Sequence, residues 1–252
     1  MQERDDSYIR RRLQELAERA YSENRYYHTD FLGMSELAVY HSMEQELSYV
    51  PSEAFGGTDT CERQMVRFGS EEMCGYPEGY PIRLLKAEAV QEKFADTLTH
   101  RDFLGSVLGL GLEREKIGDI FLRDNAGYLF VHEGVSEYIR ENLDFVKHTK
   151  VRVTELSEIP EALAPKLREE SLVVSGNRID SILARLYHLS REEAQRLVQR
   201  EQIFINGRTV TQVSKSLKEG DVVSVRHHGR FRFAGETGRT KKDRLNVRVE
   251  VY

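Results

Sequence analysis

Residues 176–207 read GNRIDSILARLYHLSREEAQRLVQREQIFING, and this stretch decides the fold of the C-terminal third. Its first apolar residues recur at helical spacing, which predicts a helix from about Arg178 to Tyr187. Ser190, followed three residues later by a glutamate, is a capping-box pattern that predicts the start of a second helix. The stretch ends in Asn206-Gly207, a two-residue turn typical of a β-hairpin. We therefore expect two helices followed by a small hairpin.

The two predicted helices carry arginines beside their apolar faces. Arg178 and Arg185 lie seven residues apart on one flank of the first helix, and Arg196 and Arg200 lie one turn apart on the second. Arg191 lies in the first turn of the second helix, where the positive end of the helix dipole disfavours a cation unless an anion is near. This placement favours contact with phosphate groups.

The chain after this stretch is predicted to be β-structure. Val222 to Arg226 forms a strand, and two alternating apolar and polar segments, 230–233 and 245–251, form a β-hairpin. The turn of that hairpin is predicted to be a mobile basic tip with the charge to meet a polyanion. Its residues are Gly235, Gly238, Arg239, Lys241, Lys242 and Arg244.

The middle of the chain predicts the order strand, helix, strand, strand, helix, strand. The segments are Ile82–Val90, His100–Leu110, Asp119–Arg123, Tyr128–His132, Val135–Val146 and Lys150–Leu156. This is the split βαβ, ferredoxin-like arrangement that RNA-recognition folds share with many other proteins. The aromatic stacking pattern of such RNA binders is not evident on a central strand.

The predicted fold class is α+β, with three domains. Residues 1–80 form an N-terminal helical region, 81–156 a ferredoxin-like (RRM-like) middle domain, and 172–252 a basic domain with an extra β-hairpin. Residues 157–171 form an acidic connector. The net charge of −5 is unevenly distributed: 172–252 contain 16 Lys+Arg and 9 Asp+Glu, whereas 1–171 contain 21 and 33. A basic third on an acidic body is typical of a domain that meets a polyanion.

The composition excludes several classes of protein. With 39% hydrophobic and 31% charged residues, the chain is neither disordered nor membrane-embedded, and its first residues do not resemble a secretory signal. The two cysteines have no metal-ligand spacing and fit a reducing cytoplasm. We expect a cytoplasmic protein with no cofactor, no metal and no membrane span. His227-His228 has no further ligand residue at suitable spacing, and Gly105, Gly109 and Gly111 do not match a nucleotide-binding loop.

The C-terminal motifs resemble a known RNA-binding domain. Arg178-Ile-Asp180, Ser190-Arg-Glu-Glu-Ala194, Ile205-Asn-Gly207 and Leu217-Lys-Glu-Gly-Asp221 are similar to the alpha-L motif of small-subunit ribosomal protein S four, over roughly residues 176–228. The resemblance implies that the two-helix face docks on structured RNA. The RNA-binding residues expected from these patterns are Arg178, Arg185, Ser190, Arg191, Arg196, Arg200, Asn206, Lys215, Arg226, His228, Arg230, Arg239, Lys241 and Lys242.

Motifs in the rest of the chain resemble the bacterial YlmH family. They are Phe55-Gly-Gly with Glu62-Arg63, the run HRDFLGSVLGLG at 100–111, Arg114, Lys116 and Gly118-Asp-Ile. The resemblance implies a protein that binds rRNA or tRNA on the large ribosomal subunit and acts in quality control of stalled peptidyl-tRNA. We expect this role to be non-catalytic. It also implies a link to cell division and protein partners for the acidic N-terminal region. A second RNA surface is expected at Arg101, Arg114 and Lys116.

Two alternative functions remain open from the sequence. One is an RNA-modifying enzyme similar to pseudouridine synthases, in which Asp102, Glu113 or Asp119 would act as acid or base. Motifs of pseudouridine synthases, tyrosyl-tRNA synthetases and methyltransferases are absent, which favours a binding role. The other alternative is an adaptor protein for cell division, which binds partners through protein contacts.

Overall fold

The structure is a computed structural model that describes residues 2–91, 93, 95–163, 167–241 and 243–252. Its contacts divide the chain into two compact units. The N-terminal unit contains Met1–Glu36 and Met43–Ala164, and the C-terminal unit contains Leu37–Ser42 and Pro165–Tyr252. The domain boundaries expected from the sequence stay predictions.

The chain begins with two helices, as predicted, and the second of them is divided between the two units. They are α1 (Gln2–Glu23), which buries Leu13 and Leu16, and α2 (Met34–Ser42). Besides these helices, the region contains three short strands and one helical turn: β1 (Tyr27–His28), β2 (Ser52–Phe55), β3 (Met65–Phe68) and α3 (Glu71–Cys74). The strands form an antiparallel sheet in the order β1-β3-β2.

The second part of this unit has the predicted ferredoxin-like topology. Its elements are β4 (Ile82–Ala89), α4 (His100–Leu108), β5 (Ile117–Arg123), β6 (Ala126–His132), α5 (Glu133–Asn142), β7 (Phe145–Val146) and β8 (Thr149–Leu156). The sheet order is β5-β6-β4-β8-β7, with every neighbouring pair antiparallel. The first of the four main strands, β4, therefore lies between the third, β6, and the fourth, β8, as in a split βαβ fold.

One predicted helix of this fold is shorter than expected. The apolar spacing of 135–146 predicted a single helix, but α5 ends at Asn142, and Phe145 and Val146 form β7. The chain reverses at Lys147, which has a positive φ of 58°, so that β7 pairs with the start of β8. The apolar residue Val146 is buried by the sheet rather than by a helix face, and spacing alone does not distinguish these outcomes.

The C-terminal unit packs two helices against a six-stranded sheet. Its elements are β9 (Arg168–Val174), α6 (Ile179–Leu186), α7 (Arg191–Gln199), β10 (Ile203–Ile205), β11 (Arg208–Thr209), β12 (Val222–Val225), β13 (Gly229–Arg239) and β14 (Leu245–Val251). The strand order is β11-β10-β12-β13-β14-β9. Ile179, Ile182, Leu183, Ala194 and Val198 of the helices share one buried core with the inward-facing residues of the strands.

The C-terminal unit confirms the predicted helices and hairpins with two differences. Asn206 and Gly207 have φ of 50° and 75°, the left-handed conformations that a tight hairpin turn requires. β9 begins at Arg168, inside the stretch predicted as a connector, because its residues pair with β14 along its full length. The predicted basic tip is shorter than expected, because Gly235, Gly238 and Arg239 belong to β13.

Candidate nucleic-acid interface

A fully buried carboxylate joins the starts of α6 and α7. Asp180 has no exposed surface, and its Oδ1 and Oδ2 accept hydrogen bonds from Arg178 Nε and Nη2 at 3.1 and 2.9 Å. Arg191 Nε lies 3.4 Å from the same Oδ2, and the backbone N–H of Ser181 donates to Oδ1 at 3.0 Å. The sequence predicted that an anion lies near Arg191, and the Asp180 carboxylate of the protein itself is such an anion. Asp180 holds two predicted RNA-binding arginines in place.

A shallow groove of ≈ 360 Å³ lies beside this ion-pair cluster. We call it the arginine groove, because three arginines from three separate segments line it: Arg185 of α6, Arg191 of α7 and Arg244 of the turn before β14. Its remaining lining residues are Val173, Val174, Ser175, Ser181 and Ala184. Tertiary structure thus brings together residues up to 71 positions apart, from Val173 to Arg244.

Two of the three charges of the arginine groove are available to a ligand. Arg185 and Arg244 are exposed, and among the described residues neither guanidinium has an ion-pair or hydrogen-bond partner. Three cations around one concave surface repel one another and attract an anion. Because guanidinium groups match phosphate oxygens geometrically, the groove has the chemistry to hold a phosphodiester backbone.

A second polar cleft of ≈ 460 Å³ lies beside the β10–β11 hairpin. It contains the predicted Lys215 together with Arg208 and Lys218, which the prediction did not include. The predicted Asn206 lines this cleft but has a structural role. Its Nδ2 donates to Asp221 Oδ1 at 2.9 Å, and its Oδ1 accepts from the backbone N–H of Val222 at 2.9 Å.

Three other predicted residues at α7, Ser190, Arg196 and Arg200, do not line either of these two concave surfaces. The Ser190 hydroxyl accepts from Glu193 N at 3.2 Å and caps the helix, and the two hydrogen bonds to Ser190 lower the pKa of the Glu193 carboxyl. Arg196 forms an exposed ion pair with Glu192 at 3.1 Å. Arg200 is exposed at the end of the helix. The structure therefore separates these residues from the arginine groove.

The predicted residues of the C-terminal strands are engaged in internal contacts. Arg226 lies over the Phe204 ring at 5.9 Å, Arg230 over the Tyr252 ring at 5.5 Å, and His228 against Tyr187 at 5.2 Å. Arg239 pairs with Asp243 at 2.7 Å. Lys241 is exposed in the turn, and Lys242 lies outside the described residues.

The structure gives Arg114 and Lys116 internal partners in the N-terminal unit. Arg114 is half-buried and donates to the carbonyl oxygens of Ile117 and Gly118, and burial lowers its pKa to about 10. Lys116 pairs with Asp30 at 2.7 Å, whereas Arg101 is exposed. A second RNA surface at these three positions stays a prediction.

The three acids weighed as catalytic groups also have individual environments. Asp102 caps α4 together with Thr99, whose hydrogen bonds lower the pKa of the Asp102 carboxyl. Asp119 accepts from the backbone N–H groups of Glu62 and Arg63, and burial raises its pKa. Glu113 is exposed at the start of a 3-10 turn. In the described part of the chain, no group of three His, Cys, Asp or Glu residues could hold a metal ion.

The sequence analysis did not predict four residues that line these two concave surfaces: Arg208, Lys218, Ser175 and Ser181. It assigned Arg244 only to the terminal hairpin. No helical periodicity marks these residues, because they lie in turns, in strand ends or in the first turn of α6. The signal that could have indicated them is the local excess of basic and hydroxyl residues in the turns.

No helix among the described residues is long and apolar enough to cross a membrane.

Comparison with known proteins identifies two RNA-binding domains. Residues 77–159 match the family model described as "Putative RNA-binding domain in YlmH", and residues 177–223 match the S4 domain. The chain is similar to the "Ribosome-associated protein quality control protein P2" of Bacillus subtilis (strain 168), with 30% identity over 230 residues that cover 88% of this chain and 86% of the relative. The solved structure of "Cell division protein ylmH from Streptococcus pneumoniae" superposes with a TM-score of 0.49 at 16% identity, over 60% of this chain and 91% of that one.

Proposed function

This chain belongs to the YlmH family, as its motifs predicted, and from that membership we propose that it binds structured rRNA or tRNA on the large ribosomal subunit. The relative from Bacillus subtilis is named for ribosome-associated quality control. We propose the same process here, with stalled peptidyl-tRNA as the setting. The observation that supports the proposal most strongly is the arginine groove of the S4 domain.

The arginine groove supplies what RNA binding requires. Phosphate contacts provide most of the affinity of a protein for nucleic acid, and the groove offers three guanidinium groups, of which Arg185 and Arg244 have no partner in the described structure. The surplus of basic residues in 172–252 extends this field beyond the groove. The more acidic N-terminal part of the chain would contribute less to RNA affinity and is available to protein partners.

We further propose that the protein acts by binding and not by catalysis. Asp102 is used to cap α4, and Asp119 accepts hydrogen bonds from two backbone N–H groups, so neither carboxyl is presented to a substrate. Incubation of the protein with ribosomal RNA, followed by mass analysis of the nucleosides, tests this role. A newly modified nucleoside would contradict it.

The test of ribosome binding is sedimentation of a cell lysate on a sucrose gradient. The wild type is compared with the Arg185→Ala, Arg244→Ala variant and with Arg196→Ala, Arg200→Ala, which removes the same charge from the α7 face. We expect the wild type to sediment with the large subunit, the groove variant to remain near the top, and the α7 variant to keep most of its association. A wild type that remains at the top at low salt would contradict the proposed function.

A further inference from the structure

Two serine hydroxyls face each other in the arginine groove. Ser175 directly follows β9, and Ser181 lies in the first turn of α6, with the two Oγ atoms 3.3 Å apart. Both residues line the groove with Arg185, Arg191 and Arg244. Among the described residues, neither hydroxyl has another hydrogen-bond partner.

The hydroxyl pair retains capacity for a further hydrogen-bonding group. Each hydroxyl has one proton and two lone pairs, and their mutual hydrogen bond uses one proton and one lone pair. One proton and three lone pairs are therefore left for water or a ligand. A group that both donates and accepts, such as another hydroxyl, can bond to this pair in either direction.

The arrangement of cations and hydroxyls matches the chemistry of one ribonucleotide. In RNA the 2′-hydroxyl is adjacent to the 3′-phosphate, so a site for both needs hydroxyl groups close to cations. Ser181 and Arg185 are four residues apart on α6 and therefore lie on the same face of the helix. The 2′-hydroxyl is also the group by which a protein distinguishes RNA from DNA.

We propose that Ser175 and Ser181 bind the 2′-hydroxyl of a nucleotide whose phosphate lies against the groove arginines. The hydroxyl pair then makes the groove selective for ribose, whereas the arginines supply affinity for any nucleic-acid backbone. This inference rests on the proposed RNA-binding function and names the sugar that the same site recognises.

A purely structural role for the pair makes a different prediction. If the contact only fastens the end of β9 to α6, its removal changes binding of every nucleic acid by the same factor. The informative quantity is therefore the ratio of two dissociation constants. One probe is a fluorescently labelled stem-loop RNA, and the other is the same stem-loop with 2′-fluoro riboses, which keep the A-form helix but have no hydroxyl proton.

The experiment measures this ratio by fluorescence anisotropy for the full chain. The variants are Ser175→Ala with Ser181→Ala, Ser181→Thr, which keeps a hydroxyl, and Ser214→Ala, an exposed serine outside the groove. We expect the wild type, Ser181→Thr and Ser214→Ala to prefer RNA by about 3- to 10-fold, the range for one hydrogen bond. The double alanine variant should bind both probes with equal affinity.

The outcomes distinguish this inference from the proposed function. A wild type that binds neither probe at low salt contradicts the proposed function and the inference with it. A wild type that binds both probes equally, or a preference that the double variant retains, overturns the inference and leaves RNA binding established.

Discussion

Two arginines of the N-terminal unit and two of the C-terminal unit differ in the groups that their side chains contact. In the N-terminal unit, Arg63 donates to the carbonyl oxygens of Ile117 and Phe31 at 3.0 and 2.7 Å, and Arg114 also donates to the carbonyl oxygen of Ile117. In the C-terminal unit, Arg185 and Arg244 are directed into an open groove without a partner in the described structure. Arg63 and Arg114 therefore stabilise the fold, whereas Arg185 and Arg244 are available to a ligand.

The environment of each guanidinium explains this difference. Burial lowers the pKa of both Arg63 and Arg114, because a charge that leaves water is stabilised only by the groups around it. Here those groups are backbone carbonyls and the carboxylate of Asp119. A solvated arginine at the groove can exchange water for phosphate. Burial, more than position in the sequence, separates structural from binding arginines.

The largest expected effect is a loss of stability of the N-terminal unit in the Asp119→Ala variant. The change leaves two backbone N–H groups without their acceptor and removes the negative charge beside two half-buried arginines. We expect a loss of about 3 kcal/mol in the free energy of unfolding of this unit. Urea denaturation followed by circular dichroism measures it. The exposed Asp59→Ala is the control, and a loss below about 1 kcal/mol would contradict a structural role.

The Arg185→Ala, Arg244→Ala variant tests whether the arginines of the groove bind RNA. Loss of two phosphate contacts should weaken RNA binding by about 10- to 100-fold and reduce the slope of log affinity against log salt by about 2. Titrations of a stem-loop RNA at several salt concentrations measure both quantities. The control is Arg83→Ala with Arg140→Ala, two arginines of the N-terminal unit that pair with Glu133 and Glu137. An equal effect of both variants would show that total charge, and not the groove, determines binding.

His28 makes the N-terminal unit sensitive to acid. Burial, assisted by the charge of Arg67, lowers the pKa of its imidazole to about 4 from an ordinary value of 6.5. Between these pH values the unfolded chain binds a proton that the folded unit does not, so stability falls as the pH decreases. Between pH 7 and pH 4.5, protonation linked to His28 should lower the free energy of unfolding by about 2 kcal/mol. We expect the His28→Gln variant not to show this loss. Urea denaturation at both pH values measures it, and the 87%-exposed His148, changed to Gln, should leave the pH dependence intact.

The smallest expected effect comes from the helix caps, of which each unit has a matched example. Thr99 caps α4 in the N-terminal unit and Ser190 caps α7 in the C-terminal unit, both in a capping box. Either change to alanine should cost about 1 kcal/mol. Hydrogen exchange of the backbone amides locates the loss. Weakened protection that is not centred on the substituted helix would contradict a local capping role.

Much of the fold could be predicted because its signals are local. The capping box at Ser190 and the Asn206-Gly207 turn depend on a few neighbouring residues, and both form as predicted. The helix predicted over 135–146 was too long, because burial of Val146 by a strand and burial by a helix produce the same apolar spacing. Local patterns indicate which residues are buried but not always which element buries them.

The candidate site could be predicted only in part. Arg185 was identified because helical spacing places it beside an apolar face, and Arg191 because it lies in the first turn of a helix. Arg178 was identified as well, but its charge is directed to the buried Asp180. Arg244 was not assigned to the site, because nothing in its neighbourhood indicates that the turn before β14 returns to the start of α6.

By itself, the sequence determined the family, the α+β class, the two helices of the S4 domain and the basic character of the C-terminal third. These properties follow from residue type and spacing along the chain. Only the tertiary structure decided which cations face a common groove and which donate to the protein. The physical reason is that the partner of a charge depends on distance and burial, and both are set when segments far apart in the chain pack together.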